Sequence, residues 1–203
     1  SSHVSLKHFN KYFVEFWDCL IRSCQEEILF DEDFMEHLLA WLTAMSSSKV
    51  RAFRHTSRLA LYTIFDTLID VSQNSIKKDL GKIEKQLAAA QKKKNADAVK
   101  VKQLSDQCTE MQQRIIALDG HMNNIFESVF ANRFKDTVPN IRALTLESLG
   151  GWILNYPSRY LTNKCLKYIG WGLNDEIPSI RSQNLLVISK LFSQESFHNK
   201  LAQ

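Results

Sequence analysis

Asp136-Thr137-Val138-Pro139-Asn140-Ile141-Arg142-Ala143-Leu144 returns later in the chain as Asp175-Glu176-Ile177-Pro178-Ser179-Ile180-Arg181-Ser182-Gln183. Both copies set Pro three residues after Asp, then Ile-Arg, then an apolar helical run. The two Asp residues lie 39 positions apart (175 − 136). That period belongs to arrays of helical repeats of the HEAT or armadillo kind. The residue types fit the role: Asp satisfies free N–H groups at a turn or helix start, and Pro is tolerated in a first helical turn, which needs no donor there. Ile141, Leu144 and Leu149, like Ile180, Leu185 and Ile188, then fall near helical spacing and are expected to face a neighbouring helix.

Outward from this repeat the chain stays helical. Phe9 to Cys24 reads as a helix with Phe9, Phe13, Phe16, Trp17, Leu20, Ile21 and Cys24 as its core stripe. Asp31 or Asp33 can cap a second helix ending near Met45, with Phe34, Leu38, Trp41, Leu42 and Met45 inward. Val50-Arg51-Ala52 echoes Ile141-Arg142-Ala143 and marks an earlier, diverged repeat. From Thr56 the pattern runs on through Ile69, Ile76, Leu80, Ile83, Leu87 and Ala90. After Asn95-Ala96-Asp97, a cap and turn, it restarts through Val101, Leu104, Cys108, Met111, Ile115, Leu118, Met122, Ile125 and Val129. This 3-4 alternation is a heptad seam, and two seams joined by a short polar turn predict an antiparallel hairpin whose longer helix reaches on the order of 55–60 Å. Gly150-Gly151 should allow close helix packing, Asn155-Tyr156-Pro157 ends that helix, and Tyr160 to Leu173 is the next. The expected fold is all-α: a HEAT-like α-solenoid fragment with repeats over 1–76, a protruding basic hairpin over 77–120 and further repeats over 121–203.

The bulk numbers agree. Three prolines and six glycines in 203 residues suit long helices. A net charge of +4 is mild, so local clustering has to point to any acidic partner. Cys19, Cys24, Cys108 and Cys165 have no CxxC spacing and read as reduced core or interface thiols of an intracellular protein. No apolar run is long enough for a membrane span, and the first residues do not form a signal peptide. The ends read as those of a segment within a longer solenoid, which would need polar caps.

No catalytic or metal constellation is present: no phosphate loop, HExxH or GxSxG, and no metal-spaced Cys/His cluster. The chain reads as a non-enzyme without cofactor, metal or small-molecule substrate. His55, amid Arg and Ser, reads as a structural histidine. Cations cluster. Lys77, Lys78, Lys82, Lys85, Lys92, Lys93, Lys94, Lys100 and Lys102 lie on or near the hairpin tip, and Lys49, Arg51, Arg54 and Arg58 form a second group. They are either a solvated helix face or a surface for double-stranded DNA that contacts phosphates without choosing a sequence. A third set is Phe134, Lys167 and Trp171. Lys167 and Trp171 share a helix face, and Phe134 lies 37 residues before Trp171 (171 − 134), nearly one repeat. Periodicity leaves open whether they pack between repeats or line a groove.

Val50-Arg51-Ala52-Phe53-Arg54-His55-Thr56, Val129-Phe130-x-x-Arg133-Phe134-Lys135-Asp136, Ile141-Arg142-Ala143 and Tyr168-Ile169-Gly170-Trp171 resemble the stromalin (stromal antigen) family of cohesin subunits over essentially the whole chain. The resemblance implies a HEAT-repeat hook, a place in the nucleus on chromosomes, binding to the kleisin subunit of cohesin, contact with DNA, and a surface for aromatic-motif peptides of regulators such as shugoshin-type proteins. On that surface it places Phe134, where the family often has Tyr, Asn163, where many members have Asp, and Lys167 and Trp171, which match. Asn174 departs from a common His. It leaves the mitotic or meiotic paralogue open. The rival readings are a HEAT or armadillo transport adaptor, which has no use for a Lys-rich hairpin, and a purely structural scaffold.

Overall fold

The computed structural model describes residues 8–92 and 97–201, and among these every regular element is helical. The all-α helical-repeat class therefore holds. The chain divides into two compact units, residues 1–38 with 63–123 and residues 39–62 with 124–203.

The first unit contains α1 (Phe9–Ser23) and the start of α2 (Glu32–Ser46), then the later part of α3 (Arg51–Asp70). A π-helical segment, Val71–Ile76, carries α3 without interruption into α4 (Lys77–Gln91). Next comes most of α5 (Ala98–Ile125). Asp97 Oδ1 accepts hydrogen bonds from the Val99 and Lys100 amides at 3.0 and 3.3 Å, which is the cap the sequence called for. The turn expected around Asn95 lies outside the described residues. Each seam is buried in part: Ile76, Leu80, Leu104, Cys108, Leu118 and Met122 are in the core, whereas Ile83, Leu87, Val101, Met111 and Ile115 are half-buried. Val71, Ile76 and Asp79 line one small cavity together with Met111 and Arg114. These two sets lie nearly equidistant along the chain from residue 94, the spacing of an antiparallel pair. Arg22 binds Asp18 at 2.9 Å and Asp70 at 2.7 Å, and Thr67 donates to Asp18 at 2.8 Å, pinning α1 to the end of α3.

Two expectations here need correcting. The α1 stripe is buried only at its C-terminal end: Ile21 and Cys24 are core, whereas Phe9 and Phe16 are about half exposed. On α2 the buried row is Met35, Leu39, Leu42 and Ser46, while Trp41 is 75% exposed. The helix offers two overlapping apolar faces, and packing uses the one rotated a step from the stripe expected. Asp31 does cap it, accepting from the Asp33 and Phe34 amides at 2.9 and 3.3 Å.

The second unit holds the repeated motif. The end of α5 passes through a second π-helical segment, Phe126–Phe130, into α6 (Ala131–Arg133). There follow α7 (Pro139–Asn155), α8 (Pro157–Tyr160), α9 (Asn163–Gly172) and α10 (Pro178–Phe192). The helix expected over 160–173 begins only at Asn163. Thr162 is extended and caps α9, its hydroxyl accepting from the Cys165 amide at 3.3 Å. The two Asp-x-x-Pro copies build the same turn: Asp136 accepts from the Val138 amide and Asp175 from the Ile177 amide, each at 2.9 Å.

A ladder of arginines then ties turn to helix. Arg142 makes a two-pronged contact to Asp175 at 2.7 and 2.8 Å and donates to the Asp136 carbonyl at 2.9 Å. Arg54 repeats the pattern one step earlier, gripping Asp136 at 3.0 and 3.2 Å and the Lys49 carbonyl at 2.9 Å. Arg133 pairs with Asp136 as well. Parallel guanidinium–carboxylate bonds of this kind are among the stronger polar contacts.

The α7–α10 contact needs small residues, as the sequence indicated for Gly150. A Cβ there would collide with Val187 Cγ1, and one at Gly172 would sit 2.7 Å from Leu146 Cδ1 and 2.9 Å from Asn184 Nδ2. On α10 the buried row is Ile180, Asn184, Val187 and Leu191, whereas Leu185, expected inward, is 56% exposed. Asn184 explains the shift: it is fully buried and donates to the Ile169 carbonyl at 2.6 Å, which fixes the rotation of α10.

Candidate functional site

Spacing of four residues puts Phe126, Phe130 and Phe134 on one side of the helix that leaves the second π-helical segment. Their rings stack at 4.6 and 6.3 Å. Tyr168 of α9 stands edge-on to Phe130 and Phe134, each at 5.0 Å, and to Trp171 at 5.4 Å. Phe134 and Trp171 lie 6.1 Å apart. Edge-to-face pairs at such distances are favourable beyond their buried area, so the Trp171 indole is held from two sides while 53% of it remains in solvent. The buried end of the same aromatic row meets Trp152, which is fully buried.

Asn163 and Lys167 are exposed on the same helix as Trp171, and no carboxylate pairs with Lys167 among the described residues. Lys164, one step round the helix, is committed to Glu127 at 2.5 Å and lies 5.4 Å above the Phe126 ring. The hydrogen bond to Glu127 holds its ammonium above the usual lysine range. The structure thus brings Phe134, Asn163, Lys167 and Trp171 onto one surface of the second unit. Tyr168 was missed as the residue that holds them. Its signal was available in the i, i+4, i+8 row of phenylalanines, which needs an aromatic partner.

The basic residues divide. Lys78, Lys82 and Lys85 on α4 and Lys92 at its C-cap are all exposed, at spacings of four, three and seven, on the face away from Leu80, Ile83 and Leu87. Lys77 lies beside them and donates to Gln73 at 2.9 Å, and Lys82 is paired with Asp79 at 2.8 Å. Lys100 and Lys102 are exposed on α5. Lys93 and Lys94 lie outside the described residues. In the second unit Lys49 and Arg51 are exposed, but Arg54 and Arg58 are turned inward. Arg54 serves the Asp136 turn, and Arg58 is 3% exposed with its guanidinium 5.3 Å from the Tyr62 ring. Neither can present its charge to a phosphate, which corrects the expectation for both. Burial lowers the pKa of His55, helped by the charges of Arg58 and Arg51. Among the described residues no His/Cys/Asp/Glu group could hold a metal, and no helix is long and apolar enough to cross a membrane.

The family model of the STAG domain matches residues 1–107, and that of the stromalin conservative domain matches residues 135–203. The chain belongs to the stromalin family. It is 33% identical to cohesin subunit SA-3 of Rattus norvegicus over 97% of its length, and 34% identical to cohesin subunit SA-1 of Xenopus laevis over 96%. Those alignments cover 16% of each relative, so the chain spans about a sixth of their length. Sister-chromatid cohesion protein 3 of Arabidopsis thaliana is 34% identical over 96% of the chain and 18% of that relative. The solved cohesin subunit Scc3 from Z. rouxii superposes with a TM-score of 0.85 at 32% identity, over 89% of this chain and 21% of that one. The family resemblance and the helical-repeat class read from the sequence are both borne out.

Proposed function

We propose that this stromalin-family chain is a non-catalytic docking and DNA-contacting part of a cohesin subunit, acting in sister-chromatid cohesion and chromosome organisation in the nucleus. The names of its relatives support the setting, and the observation that carries the docking role is the Trp171 surface. An indole half in water, clamped by Tyr168 and Phe134 beside a lysine with no carboxylate partner among the described residues, suits an incoming Phe or Tyr flanked by acidic residues. Aromatic anchors of this kind dominate small interfaces, and truncating one typically costs 2 kcal/mol or more. The ligand is a regulator peptide of the shugoshin type, with Asn163 and Lys167 meeting its polar flank.

The test titrates a labelled synthetic peptide, a central Phe flanked by Glu residues, into the chain and its Trp171→Ala variant, with a thermal melt of both. Lost peptide affinity with the fold retained supports docking. A melted domain, or unchanged affinity, refutes it.

A second observation supports DNA contact: the exposed lysine face of α4 within the 77–120 segment. It carries no base-reading group, so duplex binding is independent of sequence. Kleisin binding completes the proposal as the link to the rest of cohesin. Co-purification of the chain with a kleisin fragment checks it, and a chain that emerges alone refutes it.

A further inference from the structure

Glycine inside a helix is destabilising unless something needs the missing side chain. Gly150 and Gly172 are accounted for by Val187, Leu146 and Asn184. Gly170 is not. A Cβ there would meet nothing within 4 Å, and no described residue has the positive φ that would favour glycine. Gly81, Gly120 and Gly151 are open in the same way, so openness alone says nothing. Gly170 differs in where it lies. Asn163, Lys167, Gly170, Trp171 and Asn174 follow one another at helical spacing on the exposed face of the α9 region. Gly170 is the bare point among them, one turn after Lys167, one turn before Asn174, and next to Trp171 in the chain.

We infer that the docked segment crosses α9 over Gly170, with its main chain against the bare helix backbone. This inference rests on the docking reading above and adds the path of the ligand and a residue that decides whether it fits. Glycine is the residue used where another backbone must approach closely. From there the ligand's aromatic side chain reaches Trp171 and its acidic neighbour reaches Lys167, whose charge has no partner among the described residues. A methyl group at 170 would hold the segment off both. Gly170 is thus a specificity-determining position that gives up helix stability to keep the crossing open.

The experiment compares the whole chain with Gly170→Ala, Gly151→Ala and Trp171→Ala, using the Glu-flanked Phe peptide in an anisotropy titration and a thermal melt on each. Both glycine substitutions should raise Tm, because Ala is the better helix former, so failure to fold does not obscure the result. Gly170→Ala should weaken peptide binding about tenfold, the scale of forcing a methyl into a tight contact, and Gly151→Ala should leave binding unchanged. Wild-type binding that Trp171→Ala abolishes and Gly170→Ala leaves alone overturns this inference and spares the docking reading. No binding by the wild-type chain, or none lost with Trp171→Ala, overturns both. A fall in duplex DNA affinity with Gly170→Ala, peptide binding being unchanged, reassigns the face to DNA and also overturns it.

Discussion

Neutralising Lys78 and Lys85 together should halve the salt sensitivity of duplex binding. With Lys82 and the C-cap residue Lys92 they form one exposed row along α4. At 1.5 Å rise per residue the row from Lys78 to Lys92 is about 21 Å long, room for about six phosphates of one DNA strand at 3.4 Å spacing. Each of the four lysines can therefore meet its own phosphate. The Lys82–Asp79 pair is 71% and 52% exposed, and a surface pair worth about 0–1 kcal/mol yields to a phosphate. Four released counterions give a slope of log K against log salt near −3.6, so affinity should fall about 150-fold between 50 and 200 mM salt. Lys78→Gln with Lys85→Gln leaves two contacts, a slope near −1.8 and a fall of about 12-fold. Both side chains lie away from the buried seam, so the melt should not change. Anisotropy with a labelled duplex at four salt concentrations, repeated with a second duplex of scrambled sequence, reads all of this. Equal slopes for wild type and variant would refute the assignment of DNA contact to this face, and a strong preference for one duplex would refute phosphate contact as its basis.

Other expectations concern the second unit. Arg142→Met or Asp175→Asn should each cost about 3–5 kcal/mol, because each strands a largely buried charge or its partner; the double variant should cost clearly less than the two added, read by urea unfolding. Acid should loosen the same turns. Asp175 is held below the usual carboxylate range by its bonds from Arg142, against burial, with help from the Ile177 amide. Burial opposes ionisation of Asp136, but Arg54, the Val138 amide and Arg133 outweigh it. Both are depressed, so their stabilisation is whole above about pH 4 and is lost as pH falls through the lowered values; urea midpoints measured from pH 6 to pH 2.5 that do not fall would contradict this. Trp152→Ala, at a fully buried ring, should cost about 3–5 kcal/mol. Trp171→Ala should cost less, since half its surface is already wet, and paired melts that rank the two the other way would place Trp171 in the core.

Periodicity by itself determined that the chain is helical, where the long helices run, that Asp136 and Asp175 open equivalent turns, and that Trp171 and Lys167 share a face. These are local properties, set by a 3.6-residue repeat and by which residues can satisfy a helix start. Phe134, Lys167 and Trp171 were legible as a set and the stromalin resemblance added Asn163, but the Tyr168 that clamps them was not legible. Tertiary packing decided the rest. An apolar helix often carries two overlapping faces, and only the neighbour chooses between them: Met35 and Leu39 went in where Trp41 was expected, and Asn184 took the buried place beside Leu185 because the Ile169 carbonyl needed a donor. Charge is equally ambiguous in one dimension. Arg54 and Lys78 read alike as cations, yet Arg54 has a carboxylate 82 residues further on that draws it inward, while the exposed face of α4 leaves Lys78 in water. Contacts between residues so far apart in the chain leave no local mark, and they decided which cations remained for a partner.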